Sequence, residues 1–440
     1  MAPELAVIRS PAEEAILARY PAFKARQAHW GGARVVRLRD AAFDLLKSRG
    51  LPNRRVEEWK YTDLRALMRD LAERFEDFTD DLVRQAEALA PSVPVADATR
   101  ILFVNGRNVT RVKPEGFEVR TLAEGGEFAP SVMAALARER DYSDNAAVAL
   151  NTAFMDDTIV LRVPEDTILK KPIHLAFREI GDKPFSTFPR VLVVVEEGAF
   201  ATIIETHDGP DGVAYQTHAL VEIEAGTGAK VEHVRINAAG DQALALSTLG
   251  VHLADGVEFS TFGLTTGAAA SRHQIFAAFD GEHIKASIRG STLLRGKQHA
   301  DTTMVIDHRK PHGESRELFK SVLDGESRGV FQGRINVHPG AQKTDGKMAA
   351  HALLLSEDAE VDVKPELEIF ADDVVCGHGA TSGALDDELL FYLKARGIPQ
   401  NEAEALMVQA FVGEAIEPVT DEALRDAITA AVEKWLKARM

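Results

Sequence analysis

The sequence contains a single cysteine, Cys376, among its 440 residues. One thiol excludes an internal disulfide, so the chain does not belong with the secreted proteins that are held together by disulfide bonds. One thiol is also too few for a self-contained thiolate cage around a metal. The first 20 residues carry Glu4, Glu13 and Glu14 and have the composition of neither a signal nor a transit peptide. We therefore expect a cytoplasmic location.

Positive charge and long apolar runs are also scarce. Lysine and arginine number 51 against 68 aspartate and glutamate residues, which gives a net charge of −17. Such a surface repels phosphate backbones, so we expect no nucleic-acid partner. The apolar run 191–195 is far shorter than the roughly 20 residues that cross a bilayer, so we expect no membrane insertion. The whole sequence is 45% apolar and 27% charged, as in ordinary globular proteins.

Patterning divides the chain into an N-terminal helical region (1–95), a β-rich core (96–385) and a C-terminal helical region (386–440). In the first region, apolar residues recur at helical spacing before Gly50 and again over 54–78. In the last region, Asp386 or Asp387 can cap one helix, a second ends before Pro418, and Thr420 can cap a third. These terminal helices either pack back on the core or present a face to another protein.

The β-rich core shows a loose repeat. Its turn glycines Gly228, Gly256 and Gly281 are 28 and 25 residues apart, and short Val-, Ile- and Thr-rich runs lie between them. A repeat of this size predicts a β-solenoid, that is, a parallel β-helix in which each turn stacks on its neighbour. An antiparallel β-sandwich also produces short alternating strands. The pattern alone leaves both architectures open.

Nucleotide hydrolysis by this chain is not expected. The segments Gly290–Gln298 and Gly340–Met348 resemble phosphate-binding loops, but each is one residue too long and lacks the serine or threonine after lysine. The fixed length of that loop decides where its amides and lysine meet the phosphates. Both segments are better interpreted as turns between strands.

Cys376 and His378 are the strongest candidates for chemistry. Two residues apart on a strand, their side chains point to the same face. A thiolate beside an imidazole forms half of a site for a soft metal such as iron or zinc. Two other interpretations stay open, namely an ordinary buried cysteine and a catalytic Cys–His pair. If a metal binds, its other ligands must come from another chain.

Two further classes of function deserve comparison. A carbohydrate-active β-helix enzyme needs two carboxylates across a substrate groove, whereas Asp372/Asp373 and Asp386/Asp387 are adjacent pairs whose members face opposite ways on a strand. A stand-alone zinc or iron hydrolase needs clustered histidines. Pro311 opposes a helical metal site at His308 and His312, and the remaining candidates fall on different predicted turns: His207, His218, His233 and His252.

Several long motifs resemble one family. These are the segments Glu368–Ile398, Gly333–Ile369, Arg295–His308 and, near the N-terminus, "EEWKYTDLRAL" (Glu57–Leu67). Together they resemble the SufB/SufD family of scaffold subunits in the SUF iron–sulfur cluster assembly machinery. The Cys-Gly-His pattern at Cys376–His378 and the single cysteine are similar to the SufD branch, since the SufB branch carries a glutamate-containing pattern there and additional cysteines.

The resemblance implies a right-handed parallel β-helix between two helical regions. It also implies a non-catalytic scaffold that pairs with a SufB-like subunit and binds a SufC-like ATPase through its C-terminal helices. Cys376 and His378 match the family's functional positions, which implies that they ligate a transient iron–sulfur cluster shared with the partner. We therefore expect no tightly bound cofactor in the isolated chain, and a homodimer of the lone chain is left open.

Overall fold

The computed structural model describes residues 9–27, 32–76, 78–110, 114–124, 127–138, 140–155 and 158–439. The chain begins with helices and continues through a long β-region into three further helices. The helices α1 to α9 are Pro11–Arg26, Gly32–Arg49, Leu64–Leu67, Asp80–Ala88, Pro130–Ala137, Ala146–Phe154, Asp387–Ala395, Gln400–Ile416 and Glu422–Arg439.

The strands form two ten-stranded sheets in the described residues. Sheet A contains β3, β4, β6 and the odd-numbered strands from β7 to β19, and sheet B contains β1, β2, β5 and the even-numbered strands from β8 to β20. Strands β1 to β20 are Thr99–Val104, Arg107–Asn108, Glu118–Thr121, Thr158–Val163, Ile173–Arg178, Ser186–Thr187, Arg190–Val195, Phe200–Asp208, Gln216–Ala225, Lys230–Ala238, Leu244–Leu253, Glu258–Thr265, Ala270–Phe279, Lys285–Leu294, His299–His308, Glu314–Leu323, Arg328–Val337, Asp345–Leu354, Glu360–Ile369 and Val375–Gly383.

Parallel pairing decides between the two predicted architectures. From β7 onward the chain alternates between the sheets, and each strand pairs in parallel with the next strand of its own sheet. Successive partners in sheet B lie 27–31 residues apart, namely Lys230, Glu258, Lys285, Glu314, Asp345 and Val375. The core is therefore a parallel β-solenoid of about 8 turns, as one of the two interpretations predicted, and not a sandwich.

The turn glycines mark one corner of the solenoid. Gly228 and Gly256 adopt φ of +65° and +67°, which glycine reaches without steric cost. The N–H of Gly228 donates to the carbonyl of Asp255 in the next turn, and the N–H of Gly256 donates to Glu282. In a later turn His283 occupies the equivalent corner position, with φ of +57°, and its backbone N–H donates to the carbonyl of Pro311. The corner thus links neighbouring turns through the backbone.

Side chains from both sheets fill the space between them, which we call the lumen. They form one continuous apolar cluster that runs from Ile101 and Phe103 at one end to Met348 and Ala350 near the other. Outside the lumen, α6 and the N-terminal helices cover part of sheet A. The helices α8 and α9 cover sheet B. The sequence pattern did not predict α5 and α6, which lie between strands of the β-region.

The predicted helix over 54–78 is wrong. The described part of this segment contains a short 3-10 helix, Glu57–Trp59, and the single turn α3. Leu64, Met68 and Leu71 are buried, and the carbonyl of Glu73 accepts a hydrogen bond from Ser186 N of sheet A. The apolar spacing therefore reflects contacts with the β-core rather than a continuous helix.

Trp59 anchors this N-terminal segment on the solenoid. The guanidinium of Arg272, on β13, lies 4.0 Å from the centre of the Trp59 ring and donates to the carbonyl of Glu58. Arg272 also pairs with Asp301 on β15, and Thr62 donates a hydroxyl hydrogen bond to the same carboxylate. Arg272 and Asp301 are each only 1% exposed. The motif that contains Trp59 thus has a structural role between the two regions.

The C-terminal helices follow the sequence prediction in most respects. Asp386 caps α7 through hydrogen bonds from the backbone N–H groups of Glu388 and Leu389. The third helix is capped by Asp421, which accepts from Leu424 N, and the prediction of Thr420 is wrong because its hydroxyl instead donates to Glu232 on β10. The buried stripe of α9 meets apolar residues of sheet B. The sequence left two roles open for these helices, packing on the core or contact with another protein. The helices α8 and α9 pack on the core.

Candidate functional site

The last turn of the solenoid is open at its outer end. In the described residues, β19 pairs only with β17 and β20 pairs only with β18. Each strand therefore leaves a row of backbone N–H and C=O groups without a neighbouring strand. Such edges are templates for pairing with another chain. Between Gly383 and Arg439, the described residues after β20 form only helices, turns and loops, so no later strand among them covers this end.

Cys376 and His378 both lie on β20, and the structure brings them onto one face as predicted. Cys376 is paired in register with Gly346, and His378 with Met348. Met348 belongs to the lumen cluster, and the half-buried Cys376 packs against the same cluster. The two side chains therefore stand on the lumen face of the last turn, with the rest of the solenoid behind them. His378 is exposed because no further turn covers it.

Burial controls the protonation of the thiol. Loss of solvent raises the pKa of Cys376 above its ordinary value, and the charges of Asp345 and Glu317 raise it further. The backbone N–H of Gly346 opposes this only in part. The group is consequently a neutral thiol near pH 7.

Apolar side chains surround the open end. Phe370, after β19, and Val375, at the start of β20, are 64% and 62% exposed. On α7, which begins four residues after β20, Phe391 is 74% exposed and Tyr392 52%. None of the residues of α7 is buried. Large apolar side chains that are this exposed are typical of interaction surfaces.

The paired acids do not form a glycosidase site. Asp386 serves as a helix cap, and Asp373 forms an ion pair with Lys343 at a turn. Asp372 and Asp387 are exposed on the surface. These pairs therefore do not supply the two carboxylates that a carbohydrate-active enzyme requires across a groove, and the carbohydrate interpretation is not favoured.

The histidines show one cluster that the sequence analysis missed. Glu205 and His207 on β8 and His233 and Arg235 on β10 are all buried. Both imidazoles contact the Glu205 carboxylate, His233 Nε2 at 3.2 Å, and these pairs hold the pKa of Glu205 well below its usual range against the opposing effect of burial. The sequence contained a sign of this contact. His233 follows Glu205 by 28 residues, which is one turn of the solenoid.

This cluster is a buried network around the Glu205 carboxylate rather than a metal centre. Within the part of the chain that the structure describes, no group of three or more His, Cys, Asp or Glu side chains is arranged to hold a metal ion. His308 lies at the end of β15 and His312 in the following turn, where its ring stacks on His283 at 4.6 Å. The hydrolase interpretation is therefore not favoured either.

The two phosphate-loop look-alikes are turns between strands, as expected. Gly290 lies inside β14, and Gly296 turns the chain at φ +59° before β15. Gly340 precedes β18 in the turn that contains Lys343 at φ +63°. Neither segment opens a helix, so neither provides the helix N-terminus on which a phosphate loop depends. Separately, none of the described helices is both long and apolar enough to span a bilayer.

Comparison with known proteins places these features in a family. Residues 177–411 match the model "SUF system FeS cluster assembly, SufBD core domain", and residues 15–175 match "SufBD protein N-terminal region". An iron–sulfur cluster assembly SufBD family protein of Synechocystis is 31% identical over 402 residues, which cover 88% of this chain and 87% of that protein. The iron–sulfur cluster assembly protein SufD of Escherichia coli is 30% identical over 395 residues, 88% of this chain and 90% of that protein. The chain therefore belongs to the SufBD family of iron–sulfur cluster assembly proteins.

Proposed function

We propose that this protein is a non-enzymatic, SufD-type scaffold on which an iron–sulfur cluster is assembled. The observation that carries the proposal is the position of Cys376 and His378 on the lumen face of a last turn whose strands are paired on one side only. A cluster is held by about four ligands, mostly thiolates, with imidazole as an occasional substitute. This chain contributes one of each, and the partner contributes the others.

The partner is a SufB-like subunit that meets the open end of the solenoid. The free edges of β19 and β20 supply backbone hydrogen-bonding groups, and the exposed Phe370 and Val375 supply apolar contact area. Edge pairing with the correct partner covers these edges, which would otherwise be templates for pairing with other chains. In the absence of this partner, the same edges fit a second copy of the chain.

A SufC-like ATPase binds the C-terminal helices, and α7 is the contact surface. The helices α8 and α9 bury their apolar faces on sheet B and so are not free to bind. Truncation at Asn401 would uncover that sheet face, so the terminal region is not dispensable for the β-core. Single substitutions on α7 therefore test the docking site more directly.

Replacing Phe391 by alanine is expected to weaken ATPase binding at least 10-fold, because truncation of an aromatic anchor costs about 2 kcal/mol or more at an interface. The melting temperature of the free chain should not change, since the side chain is 74% exposed. Binding is measured by titration calorimetry. Ile168→Ala is the matched control, as Ile168 is 63% exposed and precedes β5 at the other end of the solenoid. If Phe391→Ala binds the ATPase with unchanged affinity, the ATPase-binding surface is not at Phe391.

The isolated chain is expected to carry little iron and to hydrolyse no ATP. Two protein ligands leave half of a cluster site to solvent, and the phosphate-loop look-alikes are strand turns. Iron and acid-labile sulfide are measured in the chain alone and in its complex with both partners, with reconstitution under the same anaerobic conditions. A stoichiometric, stable cluster in the pure monomer would contradict the shared site.

A further inference from the structure

A buried carboxyl group lies in the lumen directly behind the site. Glu317 on β16 is paired in register with Met348 on β18, and Met348 is paired with His378 on β20. The three side chains therefore form one column along the solenoid. Strands are about 4.8 Å apart, so Glu317 lies about 10 Å behind His378. Only the neutral Met348 stands between them.

Glu317 is only partly compensated within the fold. It is 3% exposed, and neither of its carboxyl oxygens forms a hydrogen bond of normal geometry in the described residues. Burial raises its pKa to about 8, and the Ser315 hydroxyl and the Arg316 charge offset this only in part. A buried carboxyl without a partner costs stability in any fold. Packing therefore does not explain why a carboxyl group occupies this buried position.

The surroundings of Glu317 are apolar or neutral. Arg316 points away from the lumen to Asp345, at 2.6 Å, and Arg289 on β14 donates to the carbonyl of Glu414. Across the lumen, burial lowers the pKa of His308 to about 4, so that this imidazole is neutral. The other lumen residues of the facing strands are apolar or glycine: Met304, Ile306, Phe331, Gly333 and Ile335.

Met348 closes the floor of the site without adding charge. A Cβ atom on Gly333 of sheet A would clash with Met348 Sδ, so the thioether reaches across the lumen to the opposite sheet. It excludes solvent between Glu317 and the last turn. Charges separated by such a low-dielectric layer interact more strongly than charges in water.

We infer that Glu317 is the internal counter-charge for the metal ion that Cys376 and His378 bind. The inference rests on the proposed function, because it requires a cation at these two residues. A divalent ion on the Cys376 thiolate leaves one net positive charge at the site. A carboxylate about 10 Å behind it then stabilises the bound state from inside the solenoid. Glu317 acts at a distance and is a positioning charge, not a ligand.

The proton balance follows from this arrangement. Free protein holds a neutral thiol on Cys376 and a largely neutral carboxyl on Glu317 near pH 7. Binding of one divalent ion forms the metal–sulfur bond and releases the thiol proton to solvent. The positive site then favours release of the Glu317 proton as well. Metal entry thus displaces up to two protons, and the second comes from the lumen.

The test compares the full chain with its Glu317→Gln variant, each in complex with the SufB-like partner. Co²⁺ is titrated, and the thiolate-to-cobalt absorption that Cys376→Ser removes is followed. Unit charges about 10 Å apart in a medium of effective dielectric constant about 20 alter a binding constant about 20-fold. At pH 9 the variant should therefore bind Co²⁺ about 20-fold more weakly. At pH 7, where the carboxyl must first lose its proton, the ratio should fall to about 3-fold.

Thermal stability provides the second readout. The folded-state pKa of Glu317 lies above its unfolded value, so the carboxyl destabilises the fold increasingly as pH rises from about 4.5 to about 8. Glu317→Gln should therefore melt at the same or a higher temperature than the original protein at pH 9. A structural role would lower the melting temperature instead. Glu179→Gln is the matched control, since burial also raises the pKa of Glu179 to about 8 but this residue lies near the other end of the solenoid.

The outcomes distinguish a failure of the Glu317 counter-charge from a failure of the proposed metal site at Cys376 and His378. An unchanged Co²⁺ affinity in Glu317→Gln at pH 9 would overturn the counter-charge and leave the ligands intact. An equal loss of affinity in Glu179→Gln would also overturn it, because the effect would not depend on position. Co²⁺ absorption that is the same in Cys376→Ser would instead overturn the proposed site, and the inference with it.

Discussion

Replacing His378 by alanine is expected to remove most of the cluster from the assembled complex while the complex itself still forms. His378 is exposed at the end of the lumen, so the substitution should cost only ~1 kcal/mol of stability, the typical value for a point mutation. A cluster site with one ligand missing loses a coordinate bond that no neighbouring side chain of β20 replaces. Cys376→Ser should give a similar loss if the thiolate also ligates the cluster.

Iron and sulfide per complex are measured after co-expression of each variant with both partners. His351→Ala is the matched control, because His351 lies on the adjacent strand β18 but bonds Thr381 through Nδ1 at 2.7 Å, away from the lumen. It should retain the full cluster content. A complete cluster in His378→Ala would exclude the ligand role, whereas failure of that variant to assemble would indicate a structural interface histidine.

The second large effect is expected at the anchor of the N-terminal segment. Asp301→Ala leaves the guanidinium of Arg272 buried without its carboxylate, and loss of one partner of a buried pair typically costs about 3–5 kcal/mol. The variant should unfold at lower denaturant concentration. The segment around Trp59 should exchange its amide hydrogens faster, because Thr62 and Arg272 both lose their contact with Asp301.

Two further variants make this result interpretable. Glu326→Ala removes an ion pair with Lys297 whose side chains are largely exposed, and it should change stability by less than about 1 kcal/mol. Arg272→Met combined with Asp301→Leu removes both buried charges and should recover much of the loss. Equal stability of Asp301→Ala and the original protein would show that Trp59 packing alone holds the segment.

Much of the fold was predictable because a solenoid repeats its local rules. Each corner needs a residue that tolerates positive φ, and glycines at Gly228 and Gly256 made the period visible. The Asp386 cap was predictable for the same reason, since a cap depends on its immediate neighbours. The pattern alone did not choose between solenoid and sandwich, because both give short alternating strands and differ only in which strands pair. The resemblance to the SufB/SufD family implied the solenoid, and this prediction is confirmed.

The errors occurred where distant contacts override local pattern. Residues 54–78 have helical apolar spacing, but Trp59 and Leu64 are buried against the β-core and not along a helix. The Glu205 network was missed because its members meet only when turns are stacked in register. Cys376 and His378 were predicted to share a face from their spacing alone. The open end next to this face could not be predicted from the local sequence. It exists because β20 is the last strand of its sheet in the described residues.

The open end also has a consequence for local stability. In a stacked array each turn is stabilised by its neighbours, and the last turn has a neighbour on one side only. Local unfolding therefore costs least there, and β20 can detach from β18 without loss of the remaining turns. The strand that carries Cys376 leads directly into α7, so a pull on that helix acts first on the least stable turn. In the proposed function, a partner that binds α7 therefore acts on the strand that carries Cys376 without opening the rest of the solenoid.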